Sequence, residues 1–170
     1  MADLINYDYK IITIDSDCST FLNSNICDFY ITLDEPLRNV YKINIITILI
    51  NIPNNSPINT TLNPIYINFN NYNRIISKKK TISDGNRGSI NVFDSIIIEN
   101  PITDVNGSTT LKNDYYNNDS IFCLNPIEPQ LVRFSIKLLN IDNNIINKND
   151  INRFIMKIGV YYNNKKTTRV

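Results

Sequence analysis

Apolar and polar residues alternate along much of this chain with a period of two. In Phe29-Tyr30-Ile31-Thr32-Leu33-Asp34 the apolar side chains point one way and Tyr30, Thr32 and Asp34 the other, the signature of a half-buried β-strand. Pro36 breaks the run, and a longer apolar segment from Val40 to Ile52 ends at Pro53. The pattern predicts strands at 28–34 and 40–52, joined through Asp34-Glu35-Pro36. Ahead of them Lys10–Asp15 is short and β-branched, a lead-in strand, while 15–25 reads as a polar loop.

Further along, Ile65, Ile67 and Phe69 alternate with Tyr66 and Asn68, and 74–82 reads as another strand. Ser83-Asp84-Gly85-Asn86-Arg87-Gly88 is the clearest turn. Val92–Ile98 predicts a strand covered on both faces, because Ile96, Ile97 and Ile98 are consecutive. Residues 100–119 form a long polar connection, and Ser120–Leu124 is a short apolar strand stopping at Asn125-Pro126. In 131–139, Val132, Phe134, Ile136 and Leu138 share one face. After a turn at Asp142-Asn143-Asn144, Phe154, Met156, Ile158, Val160 and Tyr162 repeat the pattern. No segment sustains a helical period, and the abundant Asn, Thr and β-branched residues form helices poorly. Eight strand candidates counted from Phe29 predict an all-β fold: an eight-stranded antiparallel Greek-key sandwich, most economically a single jelly roll.

At 170 residues the chain reads as one domain over 1–170, large enough to bury roughly 70% of its unfolded surface, with 1–9 and 163–170 as flexible ends. Ile and Asn lie far above ordinary usage, as an AT-rich coding sequence produces; Ile fills buried positions and Asn the turns and surface. The net charge of +1 gives no electrostatic argument for a nucleic-acid or membrane partner, and little repulsion opposes self-association. Three cysteines, Cys18, Cys27 and Cys123, are an odd number without CxxC spacing, so reduced thiols are expected. The opening MADLINYDYK has neither the basic nor the apolar region of a signal peptide. The longest apolar run, Ile43–Ile52, is too short to cross a bilayer, so no membrane insertion is expected.

Candidate chemistry is sparse. With no histidine, the commonest general base, the Ser-His-Asp and Cys-His arrangements and most zinc sites are missing. Asn86-Arg87 between Gly85 and Gly88 is a turn and not a phosphate loop, because no Lys-Ser/Thr follows it into a helix. Asp15-Ser16-Asp17 resembles the start of a calcium loop but lacks its Gly and distal Glu, and reads as a turn or strand end. Lys78-Lys79-Lys80, with Arg74 and Arg87, suits an edge protected by lysines better than a phosphate backbone. The tail with Lys165, Lys166 and Arg169 reads as a disordered end, with contact to nucleic acid or an acidic partner as the lesser alternative. Ten tyrosines and no tryptophan could form a sugar-stacking platform, although Tyr115-Tyr116 and Tyr161-Tyr162 fit interface packing equally well. The chain is expected not to be an enzyme and to need no cofactor or metal.

Four blocks stand in order at the start: Ile14-Asp15-Ser16 and a polar loop; the Phe29-x-Ile31-x-Leu33 strand; the Pro36-Leu37-Arg38-Asn39-Val40 corner; and a long strand ending in Ile52-Pro53-Asn54. Together they resemble the single-jelly-roll penton and minor capsid proteins of large DNA viruses of protists (the nucleocytoplasmic group) and of their virophages. Pro64-Ile65-Tyr66-Ile67, Asn125-Pro126 and the Asp142-Asn143-Asn144 turn extend the likeness over most of 14–160. Two departures stand out. Asp17-Cys18 replace the basic residues usual after Ile-Asp-Ser, and Asn replaces the glycine of the late turn, which Asn's tolerance of left-handed backbone allows.

The resemblance implies a structural virion protein, made and assembled in the host cytoplasm. It would form a cyclic homopentamer at the vertices of an icosahedral capsid, in contact with the major capsid protein. Its family-motif residues would be Ile14, Asp15, Ser16, Phe29, Pro36, Asn39, Val40, Ile52 and Pro53. Pro36 and Asn39 are those whose replacement should harm folding and assembly together. The alternative is a carbohydrate- or receptor-binding β-sandwich module on the virion surface; a nucleic-acid role rests only on the lysine clusters.

Overall fold

The computed structural model describes residues 7–22, 25–54, 56–60, 64–70, 72, 75–78, 89–96, 102–103, 109–114 and 121–164. These residues are all-β. They form eleven strands and three short 3-10 turns, with no α-helix among the described residues. The strands are β1 (Asp8–Asp15), β2 (Thr20–Leu22), β3 (Asn25–Ile52), β4 (Ile65–Phe69), β5 (Ile75–Lys78), β6 (Ser89–Val92), β7 (Asp94–Ile96), β8 (Ile102–Thr103), β9 (Thr109–Asp114), β10 (Ile121–Leu139) and β11 (Arg153–Tyr162). Every described pairing is antiparallel.

The main sheet runs β1–β11–β3–β10–β4–β7, with β2 and β9 added along β3, β8 on β9, and β5–β6 a separate hairpin. Two long strands hold it together. The first half of β3 pairs with the end of β10 (Asp28↔Lys137 to Thr32↔Arg133). Its second half has β11 on one side (Lys42↔Tyr161 to Asn51↔Arg153) and, on the other, first the start of β10 (Leu37↔Leu131 to Asn44↔Ile121) and then β9 (Thr47↔Asp114 to Ile52↔Thr109). The sheet curls because both strands carry irregularities where they cross from one set of partners to the other. On β3 the ladder jumps from Thr32 to Leu37 while β10 moves only from Arg133 to Leu131, so Leu33–Pro36 bow outward. On β10 it jumps from Cys123 to Glu128 while β3 moves only from Lys42 to Val40, around the cis Asn125–Pro126 peptide. Such bulges bend a strand and increase its twist.

The core lies inside the curl. Ile43, Ile45, Ile48, Ile50 and Ile52 of β3 are fully buried. The step from 45 to 48 breaks their alternation because Ile46 is an extra residue opposite the Lys157–Ile158 step. Phe69 stacks on Phe134 at 5.3 Å and meets Phe93 at 4.9 Å, while Phe29 and Phe154 meet at 5.9 Å. A second cluster, Tyr66, Val92 and Leu139, lies apart from the main core. Val92 and Phe93 are consecutive and both buried, one in each cluster, so this stretch is covered on both faces.

Several expectations change. The strands at 28–34 and 40–52 are one continuous β3, and the short strand at 120–124 runs on into β10. The polar stretches 15–25 and 100–119 contain β2, β8 and β9. Val132, expected inward, is 43% exposed and Leu131 is buried in its place, because the bowed Leu33–Pro36 segment resets the pairing beside it. Asp8 and Tyr9, expected within a flexible end, pair with Tyr162 and Tyr161. The 83–88 turn, Arg74, Lys79, Lys80, Ile97, Ile98, Tyr115, Tyr116 and the tail from 165 lie outside the described residues.

Candidate functional site

The first motif block ends β1. Ile14 and Ser16 are fully buried, and the Ser16 hydroxyl accepts a hydrogen bond from the Phe154 backbone N–H at 3.1 Å. Asp15 caps the 3-10 turn Ser16–Cys18 by accepting from the Asp17 N–H, and its carboxylate faces Arg153: Nε donates to Oδ1 at 3.1 Å and Nη2 to Oδ2 at 2.6 Å. Phe29, from the second block, meets Phe154. Sequence positions far apart therefore converge on the start of β11, as strand-end residues and not as a calcium loop.

The Arg153 hydrogen bonds hold the Asp15 carboxyl below its ordinary value of 3.8, against a smaller upward push from burial. Its folded pKa is thus below its unfolded one. The pair's contribution is complete above about pH 4 and is lost as pH falls through the folded value. The melting temperature of Asp15→Asn should therefore fall less steeply than wild type below about pH 4. The difference is small because Arg153 is half exposed, and identical pH slopes would show that the pair contributes nothing.

The corner block lies at the other end of β11. Pro36 is exposed in the bowed segment, where its missing N–H costs no ladder bond. Asn39 has φ 48°, a left-handed conformation that Asn adopts more readily than most residues. Its side-chain amide donates to the Asn163 carbonyl at 2.9 Å. The Asn163 N–H donates to the Arg38 carbonyl, and the Arg38 N–H to the Asn164 side chain. The corner therefore clasps the chain as it leaves β11. Val40 and Ile52 are fully buried, and the Pro53 carbonyl accepts from the Ser56 N–H. The late turn has Asn143 at φ 63°.

Beside the corner lies a surface the motifs did not reveal. β1 ends the strand order, and among the described residues nothing pairs with its outer edge. Tyr7 packs on Tyr41 at 4.2 Å, Tyr41 meets Tyr161 edge-on at 6.1 Å, and Tyr161 meets Tyr9 at 4.7 Å. The Lys42 ammonium sits 4.6 Å from the centre of the Tyr161 ring, within cation–π range. Tyr9 lies across Gly159, where an added Cβ would collide with its phenol ring. Burial, then the phenols of Tyr7 and Tyr161, push the Tyr41 hydroxyl up to about 12. Tyr7, Tyr9 and Ile11 remain about half exposed. The available signal was the alternation of Tyr7, Tyr9 and Ile11 with polar residues.

Among the described residues no group of three or more His, Cys, Asp or Glu could hold a metal ion, and the three cysteines are free. No described helix is long and apolar enough to cross a membrane. No protein-family model matches the chain, and no curated protein matches it.

Proposed function

We propose that the chain is a self-associating structural protein of single-jelly-roll type: the penton, or another minor capsid protein, of an icosahedral DNA virus. In this reading it closes into a cyclic pentamer, contacts the major capsid protein and has no catalytic activity. The observation that carries the reading is the unpaired β1 edge flanked by exposed Tyr7, Tyr9 and Ile11. A long edge strand with apolar neighbours is a template for another chain unless something covers it. A net charge of +1 leaves little repulsion against such contact.

Strand order supports the jelly-roll part. Taken as two strands meeting at Leu33–Pro36, β3 gives its second half to a set ordered β1, β11, β3 and then, side by side along β3, the start of β10 and β9; it gives its first half to a set ordered β3, the end of β10, β4, β7. Two antiparallel sets of four in this order suit a jelly roll. A sugar-binding role is less well supported, because the tyrosine rings tilt by 35° to 62° from one another and offer no flat platform.

Sedimentation equilibrium of the full chain up to millimolar concentration tests the proposal. The expected species has five times the 19.6 kDa chain mass; a monomer or closed dimer throughout would overturn it.

A further inference from the structure

At the end of the molecule away from the tyrosines, an open cleft of about 390 Å³ lies between the segment after β3 and the turns after β10. Its size is within the range of ligand sites, roughly 300–1,000 Å³. Pro57, Ile58, Ile141 and Ile145 give it apolar walls, and Asp142 and Asp150 are the charged residues among its described lining. Ile141 and Ile145 are 39% and 40% exposed. Nearby, burial first, then the charges of Asp150 and Asp28, push the Cys27 thiol up to about 12. Lys148, in the same turn as Asp150, is exposed and outside the lining.

We propose that this cleft takes the basic segment Lys165–Arg169 of a second copy of the chain, laid in as an extended peptide. The inference rests on the self-association reading above. Charge favours this occupant: Lys165, Lys166 and Arg169 carry the segment's only charged side chains. Residues 1–6, also outside the described structure, carry Asp3 and no Lys or Arg. Reach decides between the chain's own tail and a neighbour's. The Arg38 and Asn39 bonds fix Asn163 and Asn164 at the far end of β11. From there back to Arg153, beside Asp150, the strand spans about 30 Å. The five residues from Lys165 to Arg169 reach at most about 18 Å beyond Asn164, so this segment falls short of its own cleft. A tail leaving one end and a cleft at the other make a head-to-tail contact, the type that closes rings.

The test uses two full-length variants: a tail-reversed chain, Lys165→Glu/Lys166→Glu/Arg169→Glu, and a cleft-reversed chain, Asp142→Lys/Asp150→Lys. Each should self-associate at least about tenfold more weakly than wild type, from several modest charge pairs turned repulsive. Mixing them should restore pairwise association, read as mixed dimers and short oligomers, since the tail of each variant meets a cleft of opposite sign on the other; a five-membered ring cannot alternate two variants throughout, so full ring closure is not expected of the mixture. A tail-reversed chain that associates like wild type overturns the inference without any question of misfolding, and so does a mixture that fails to recover. A synthetic peptide of residues 163–170, titrated into the full chain, separates the two proposals. Peptide binding that weakens with salt and with Asp150→Asn upholds the cleft assignment even if the full chain stays monomeric. A pentamer whose cleft ignores the peptide upholds only the assembly.

Discussion

Phe69→Ala should lower the free energy of unfolding by about 3–5 kcal/mol, the range for removing a buried aromatic ring. Phe69 ends β4 with no exposed surface and is the hub of an aromatic cluster, within 6 Å of the rings of Phe134, Phe93 and Tyr72. Phe69 pairs with Ile136, Phe134 lies in β10, the Phe93 N–H donates to the Ile67 carbonyl and Tyr72 bridges to Phe69, so the surroundings have little slack to fill a void. The cost therefore combines lost transfer energy with a cavity that collapses poorly. Phe69→Leu, which keeps much of the volume, should cost less than half as much. Urea denaturation followed by circular dichroism measures both. A loss below about 1.5 kcal/mol for the alanine variant would mean that the site relaxes as a rigid cluster cannot.

Asn39→Val should cost about 2–4 kcal/mol: roughly 1–3 for forcing a β-branched residue to positive φ and about 1 for the lost hydrogen bond to Asn163. Asn39→Gly separates the two. Glycine adopts φ 48° freely, so that variant should lose only the hydrogen bond, about 1 kcal/mol. Equal losses in the two variants would show that backbone conformation does not matter there. Faster amide exchange at Asn163 in both would show that the clasp on the β11 exit is broken.

These residues illustrate what the sequence could convey. Period-two alternation located Ile65, Ile67 and Phe69 of β4 and Phe154, Met156, Ile158 and Val160 of β11, because neither strand carries an extra residue of its own; it missed Tyr66, which is buried on the other face of β4 in the second cluster. It failed at Val132, where the neighbouring strand bows out over Leu33–Pro36 and the pairing resets; no local pattern carries that information. Likewise β2, β8 and β9 were hidden because β2 and β8 are only three and two residues long within polar stretches and β9 is mostly polar; their strand character comes from partners, β3 for β2 and β9, and β9 for β8. The motif residues Ile14, Ser16, Phe29, Val40 and Ile52 could be singled out beforehand, and all five are buried. The tyrosine cluster could not, since Tyr9 and Tyr161 become neighbours only through a pairing of opposite ends of the chain. The Asp15–Arg153 pair was invisible for the same reason.

That pairing also constrains synthesis. β11, the latest of the described strands to be made, lies between β1, the earliest of them, and β3. While the ribosome is still producing residues 16–152, β1 has no partner and one flank of β3 is open. The edges that β11 will cover, one on β1 and one on β3, are thus open throughout that interval, when contacts with other nascent chains compete with folding. Slow translation or a stall before Arg153 should favour aggregates over soluble chains, and the release of the last strand would be the event that makes the sheet whole.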